Sequence, residues 1–291
     1  MIALTIGLAV FVGIALGLLG GGGSILTVPL LAYVAGMDAK AAIATSLLVV
    51  GVTSAIGAIS HARAGRVQWR TGLIFGAAGM AGAYAGGLLA RFIPGTVLLI
   101  GFAVMMIATA IAMLRGRKTV ETGHTNHRLP VPKILAEGLI VGLVTGLVGA
   151  GGGFLVVPAL ALLGGLPMPI AVGTSLIVIA MKSFAGLAGY LSSVHINWTL
   201  ALAVTAAAVA GALIGARLTA MINPDSLRKT FGWFVLVMSS VILAQEIHPA
   251  VGITAAALTT LAAATTVACN KYDHCPLHRL TTRLTTPKAT A

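Results

Sequence analysis

Gly17-Leu18-Leu19-Gly20-Gly21-Gly22-Gly23-Ser24, running on to Val28-Pro29-Leu30-Leu31, decides the fold because the chain writes it twice. The second copy is Gly146-Leu147-Val148-Gly149-Ala150-Gly151-Gly152-Gly153, running on to Val157-Pro158-Ala159-Leu160. The same shift aligns Thr45-Ser46-Leu47 with Thr174-Ser175-Leu176 and Trp69 with Trp198. It also aligns Gly82-Ala83 and Gly86 with Gly211-Ala212 and Gly215, in one register without a gap from Gly17 to about Ile93. Low complexity matches scattered Gly and Ala by chance, but not also a Pro, a Thr-Ser pair and a Trp. The chain therefore reads as a duplicated unit.

Around these motifs the sequence is apolar. Of its 291 residues 58% are hydrophobic and 8% charged, with a mean hydropathy of +1.04. That is too little charge to cover a soluble domain of this length. No Asp, Glu, Lys or Arg precedes Asp38, and 41–62, 71–90, 92–114, 138–181 and 249–270 carry none. Each run is long enough to cross a hydrocarbon core of about 30 Å as a helix. The alternation of a membrane barrel is absent, and helices satisfy their own backbone groups in lipid. The expected class is all-α, a polytopic membrane protein of two inverted repeats with Gly-broken or re-entrant helices. The formal net charge of +12 sits in loops and tail, as the positive-inside rule requires. It calls for no nucleic acid.

The expected divisions are a first transmembrane repeat (1–114), a basic cytoplasmic linker (115–133), a second repeat (134–244), an extra C-terminal span (245–270) and a basic cytoplasmic tail (271–291). Arg63, Arg66 and Arg70 put the loop at 61–70 inside, whereas its counterpart at 192–198 holds only His195 and reads outside. Matched loops on opposite faces are the mark of inverted repeats. The count of crossings closes only if 1–36 and 134–165 return to the side they start from, as pairs of short helices broken at the glycines. Full spans then fall at about 40–60, 71–91, 95–114, 168–191, 198–219, 229–244 and 249–269, with Trp69 and Trp198 as interfacial anchors. The expected location is the bacterial inner membrane, multi-pass, with the C-terminus in the cytoplasm.

Chemistry is expected at the breaks. A helix that restarts after glycines points unpaired N–H groups at the break, and Ser24 and Gly153 open such half-helices. The candidate substrate-binding residues are Gly20, Gly21, Gly22, Gly23 and Ser24 with Gly149, Gly151, Gly152 and Gly153. The recurring hydroxyls Thr45, Ser46, Thr174 and Ser175 and the midspan cation Lys182 complete the set. Small residues also let helices pack closely, and hydroxyls also cap helices. Lys182 is the only charge in the middle of an expected span, its counterpart being Thr53; such a residue marks a functional site by default. Thr174 and Ser175 stand about two turns earlier and should share its helix face. No Asp or Glu lies midspan, which turns the substrate toward anions or neutral solutes. No Gly-Lys-Ser or Gly-Lys-Thr closes either Gly run, so no nucleotide-binding loop is read. Cys269, Asp273, His274, Cys275 and His278 fit no closed zinc spacing; no metal site, cofactor or catalytic residue is assigned.

At the paired Gly motifs, with Thr45-Ser46 and Thr174-Ser175 downstream, the chain resembles the sulfite exporter TauE/SafE family of membrane permeases over nearly its whole length. The resemblance implies export of sulfite, sulfonates such as sulfoacetate, or related small anions. The expected function is a secondary transporter rather than an enzyme. Its partners are a small anionic substrate and the lipid bilayer, and a homodimer is compatible with it. The competing readings are a transition-metal transporter, resting on the Cys/His tail, and a non-transporting membrane assembly protein.

Overall fold

The computed structural model describes residues 2–19, 22–114, 131–149, 152–158, 168–218 and 224–247, with Leu160, Leu166 and Thr254 as isolated positions. Most of the expected linker, the extra C-terminal span and the tail lie outside the described residues, as do Gly20, Gly21 and Gly151. Among the described residues every regular element is helical. The helices are α1 (Ile2–Leu19), α2 (Thr27–Pro29), α3 (Ala39–Arg63), α4 (Trp69–Leu89), α5 (Gly95–Leu114), α6 (Val131–Val148), α7 (Gly153–Pro158), α8 (Met168–Leu191), α9 (Trp198–Leu218) and α10 (Pro224–Glu246). The single turn of α2 lies between a 3₁₀ stretch, Gly22–Leu26, and a π stretch, Leu30–Val34.

Four of these segments are long and apolar enough to cross a membrane: Ala39–Arg63, Trp69–Phe92, Ile170–Leu191 and Trp198–Leu218. The molecule is polytopic, and its exterior agrees. Phe11, Leu73, Met80, Val104, Ile140, Leu202 and Val237 are large apolar side chains left exposed, as a lipid-facing surface requires. Trp69 and Trp198 open α4 and α9, both exposed. Local signals set the ends of α3. Asp38 caps it, its carboxylate accepting from the Lys40 N–H at 3.1 Å. At the other end the Arg66 and Gly65 N–H groups close on the carbonyls of His61 and Ala62 at 2.9 and 3.0 Å. One boundary differs from expectation. α10 starts at Pro224 rather than near 229, because proline suits the first helical position, where no N–H partner is needed. Arg228 and Lys229 thus belong to the helix.

The repeat shift is written into the packing. The two most extensive helix pairs are α4 with α6 and α1 with α9. In the first pair, methyl groups at Gly82 and Gly86 would strike the carbonyls of Leu139 and Leu143, and methyl groups at Gly142 and Gly146 those of Gly79 and Ala83. In the second, Gly211 and Gly215 meet Val10 and Ile14, and Gly13 and Gly17 meet Ala208 and Ala212. Every residue of one set is the repeat counterpart of a residue of the other. Each half therefore lends its α4-type helix to the α1-type helix of the other half. Backbones approach this closely only where side chains are absent, which is how small residues hold helices together in lipid.

The contacts also give helix directions. Numbering rises together along α4 and α6, and along α1 and α9. It runs opposite along α3 and α8, where Leu47 lies at Gly186, Gly51 at Phe184 and Gly57 at Leu176. The counterparts α3 and α8 are thus antiparallel. Helix ends then sort by charge. Arg63, Arg66, Arg70, Lys133, Arg217, Arg228 and Lys229 fall at one end with Glu137 and Asp225. Asp38, Lys40, Arg91 and Glu246 fall at the other.

Candidate functional site

Each glycine run lies between two described helical segments. α1 ends at Leu19 and helical structure resumes at Gly22; α6 ends at Val148 and resumes at Gly153. At 18 residues each, α1 and α6 are about 27 Å long. In the second run Gly149 and Gly152 have φ of +74° and +64°, a left-handed backbone that side chains with a Cβ resist. The segments that follow the breaks, Gly22–Leu26 and α7, touch each other. The restarted helices differ from expectation. α7 has six residues, and the first-half segment changes from 3₁₀ to α to π within 22–34. Neither is long enough to sum a substantial macrodipole.

Lys182 lies at the second break. It is 1% exposed, among the largest fully buried side chains. Its Nζ donates to Thr145 Oγ1 at 3.1 Å, and a methyl group at Gly152 would collide with both Nζ and the Thr145 side chain. Thr145 Oγ1 gives its own proton to the Val141 carbonyl at 2.7 Å, so toward Lys182 it can only accept. An ammonium carries three donors, and no carboxylate faces it among the described residues. The break is braced from neighbouring helices. Ser46 Oγ donates to the Gly149 carbonyl at 3.0 Å, Ile43 packs on Gly149, and Tyr190 Oη donates to the Leu147 carbonyl at 2.5 Å. α3 of the first half thus holds the break of the second.

The remaining candidates are placed elsewhere. Thr174 Oγ1 accepts from the Gln68 N–H at 2.9 Å, pinning the start of α4, and Ser175 Oγ returns its proton to the Val172 carbonyl at 2.8 Å. Neither is brought to Lys182, although the expected spacing along α8 is kept; the start of α8 packs on the basic loop, where Gly173 lies against Arg66 and the Gln68 N–H takes up the Thr174 hydroxyl. Thr45 is buried and its hydroxyl has no partner among the described residues. Ser24 is buried just after the first break, Gly22 and Gly23 open the 3₁₀ stretch, and Gly153 opens α7. Thr145 was not among the expected residues. Its counterpart in the first repeat is Leu16, so comparing repeats hides it. The usable signal is that Thr145 is the only hydroxyl in 138–148, one turn before the glycine run.

The two halves are unequal at this point. Where the second repeat has Lys182 and Thr145, the first has Thr53 and Leu16. Thr53 returns its proton to the Val49 and Val50 carbonyls at 2.7 and 3.1 Å. A cavity of about 320 Å³ opens at the Asp38 end, lined by Tyr33, Asp38, Thr96 and Glu246 among others. In it Tyr33 Oη donates to Glu246 Oε1 at 3.1 Å. With two carboxylates on its wall it is a poor place for an anion, and Lys182 does not line it.

Comparison with known proteins bears on this arrangement. The family model of the sulfite exporter TauE/SafE matches residues 5–242. A probable membrane transporter protein of Xylella fastidiosa is 35% identical over 240 residues, covering 81% of this chain and 92% of that protein. The probable membrane transporter protein YunE of Bacillus subtilis is 28% identical over 249 residues, covering 78% and 89%. One of Methanocaldococcus jannaschii is 29% identical over 240 residues, covering 76% and 89%. No solved structure matches the chain significantly. A family match over most of the chain, on helices that pack by repeat-related glycines around a buried lysine, makes the protein a member of the sulfite exporter TauE/SafE family of membrane transporters.

Proposed function

We propose that the protein is a secondary transporter that exports small sulfur-containing or organic anions, such as sulfite or sulfonates, and is not an enzyme. The observation that carries the reading is Lys182: a cation buried in a membrane helix, at a helix break, whose only polar partner among the described residues is a hydroxyl. A buried charge is costly unless an opposite charge accompanies it, and a bound anion supplies that charge. The two donors that Thr145 leaves free are available to it, and Gly152, having no Cβ, leaves the room that the ammonium occupies. Because Thr53 and Leu16 replace the pair in the first half, the described residues hold one such site.

The inverted-repeat reading is supported by the antiparallel counterparts α3 and α8 and by the glycine contacts exchanged under the repeat shift. With α3 and α8 as spans, the relating axis lies in the membrane plane, the arrangement that lets one half rock against the other about a central site. By the positive-inside rule the end with Arg63, Arg66, Arg70 and Arg217 is cytoplasmic. That end also concentrates anions from the cytosol, which suits export, the activity in the family's name. The transition-metal reading rests on Cys269, His274, Cys275 and His278, outside the described residues.

The test is thermal stability of the purified full-length protein against sulfite, sulfoacetate, chloride, Zn²⁺ and Ni²⁺. Sulfite or sulfoacetate at a hundred times its Kd stabilises by about 2.7 kcal/mol. Stabilisation by the metals and by no anion would overturn the reading.

A further inference from the structure

Ser54 follows Thr53 and Ser183 follows Lys182, so the two serines are counterparts under the repeat shift. Each is at most 2% exposed, and neither hydroxyl has a hydrogen-bond partner among the described residues. A hydroxyl within a membrane helix ordinarily returns its proton to the preceding turn, as Thr53, Thr145, Thr205 and Ser240 do here. Leaving one unpaired costs about 1–3 kcal/mol, and this chain carries that cost at two equivalent positions. Thr27, Thr45 and His61 also hold unpaired atoms, but their counterparts Val156, Thr174 and Tyr190 do not repeat the feature.

Both serines stand where the halves meet. Ser54 is about two turns beyond Leu47, which lies at Gly186 of α8. Ser183 is about two turns beyond Leu176, which lies at Gly57 of α3. Two turns return a residue to the same helix face. The hydroxyls therefore face the antiparallel crossing of α3 and α8 from opposite sides, beside the level of Lys182.

We propose that Ser54 and Ser183 form a second, hydroxyl-lined subsite between α3 and α8 that donates hydrogen bonds to oxygen atoms of the transported anion. The proposal rests on the anion reading above and narrows it. Lys182 supplies charge and accepts any anion; two hydroxyl donors on opposite helices select one with separate acceptor oxygens. Sulfite and sulfonates present these, whereas a halide presents a single centre.

The experiment reconstitutes the full-length protein in phosphatidylethanolamine–phosphatidylglycerol vesicles and follows efflux of radiolabelled sulfite. Ser54→Ala/Ser183→Ala should slow efflux by about tenfold to hundredfold, the loss of a hydrogen bond to a charged group. Its melting temperature should be unchanged or higher, because an unpaired buried hydroxyl has been removed. Should the double variant fail to fold, each single variant should show an intermediate loss. Wild-type efflux from a folded double variant, or from both single variants, overturns the proposal. Lys182→Met run in parallel separates the two ideas. Efflux lost in Lys182→Met but intact in the serine variants sinks the subsite and leaves the anion reading standing. Efflux kept in Lys182→Met but lost in the serine variants upholds the subsite and overturns Lys182 as the counter-ion.

Discussion

Lys182 Nζ donates to Thr145 Oγ1 at 3.1 Å, and that link joins the middle of α8 to the last turn of α6 beside the glycine break. The hydroxyl is already committed as a donor to Val141, so the two side chains form a one-way chain ending on a backbone carbonyl. Such a chain orients the ammonium without neutralising it. The distinction separates a residue that is merely accommodated from one held ready for a counter-ion.

Thr145→Val tests the orienting role. The substitution leaves the ammonium without a polar partner and should cost about 1–3 kcal/mol of stability. Lys182→Met added to it should recover most of that loss, giving a coupling of about 0.5–3 kcal/mol in a double-mutant cycle. Denaturation of the four proteins in one detergent measures it; additive losses would show that the two side chains do not interact.

The exchanged glycine contacts make a paired prediction. Gly82→Ala forces a methyl group onto the Leu139 carbonyl, and Gly211→Ala forces one onto the Val10 carbonyl. Each should destabilise by about 1–3 kcal/mol, and the two losses should be similar. Gly101→Ala, which meets nothing within 4 Å, should be neutral or gain up to about 1 kcal/mol in helix propensity. Melting temperatures of the three variants decide it.

Much of this was legible in the sequence, for identifiable reasons. The repeat, the glycine-rich ends of α1 and α6 and most helix boundaries follow from residue type and spacing alone. Lys182 stood out because a charge is conspicuous in an apolar run. Thr145 did not, because one threonine in a membrane helix is usually a self-satisfied residue and its counterpart is Leu16. The fates of Ser46, Thr174 and Ser175 could not be read either. Their spacing along a helix says which face they share, not which neighbouring helix that face meets. Ser46 reaches across halves to Gly149, and Thr174 is taken up by the backbone of Gln68. Such long-range pairings depend on which helices of the two halves pack together, which no local pattern announces.

Topology is tested by labelling. The turn at Gly65 and the loop at His195 lie at opposite ends of α8, since Gly173 packs on Arg66 and α8 runs from there to Leu191. With Cys269 and Cys275 replaced, a cysteine at 65 should react with an impermeant reagent only from the cytoplasmic side, and one at 195 only from outside. Labelling of both from one side would dismiss the inverted arrangement.

The most direct measurement of the central claim is efflux of radiolabelled sulfite from vesicles containing the wild-type protein or Lys182→Met. The substitution keeps side-chain length and removes the charge. The account predicts that sulfite efflux falls to the level of protein-free vesicles while the melting temperature is maintained or raised, because a buried charge without a counter-ion has gone. Wild-type efflux from a folded Lys182→Met protein would contradict it.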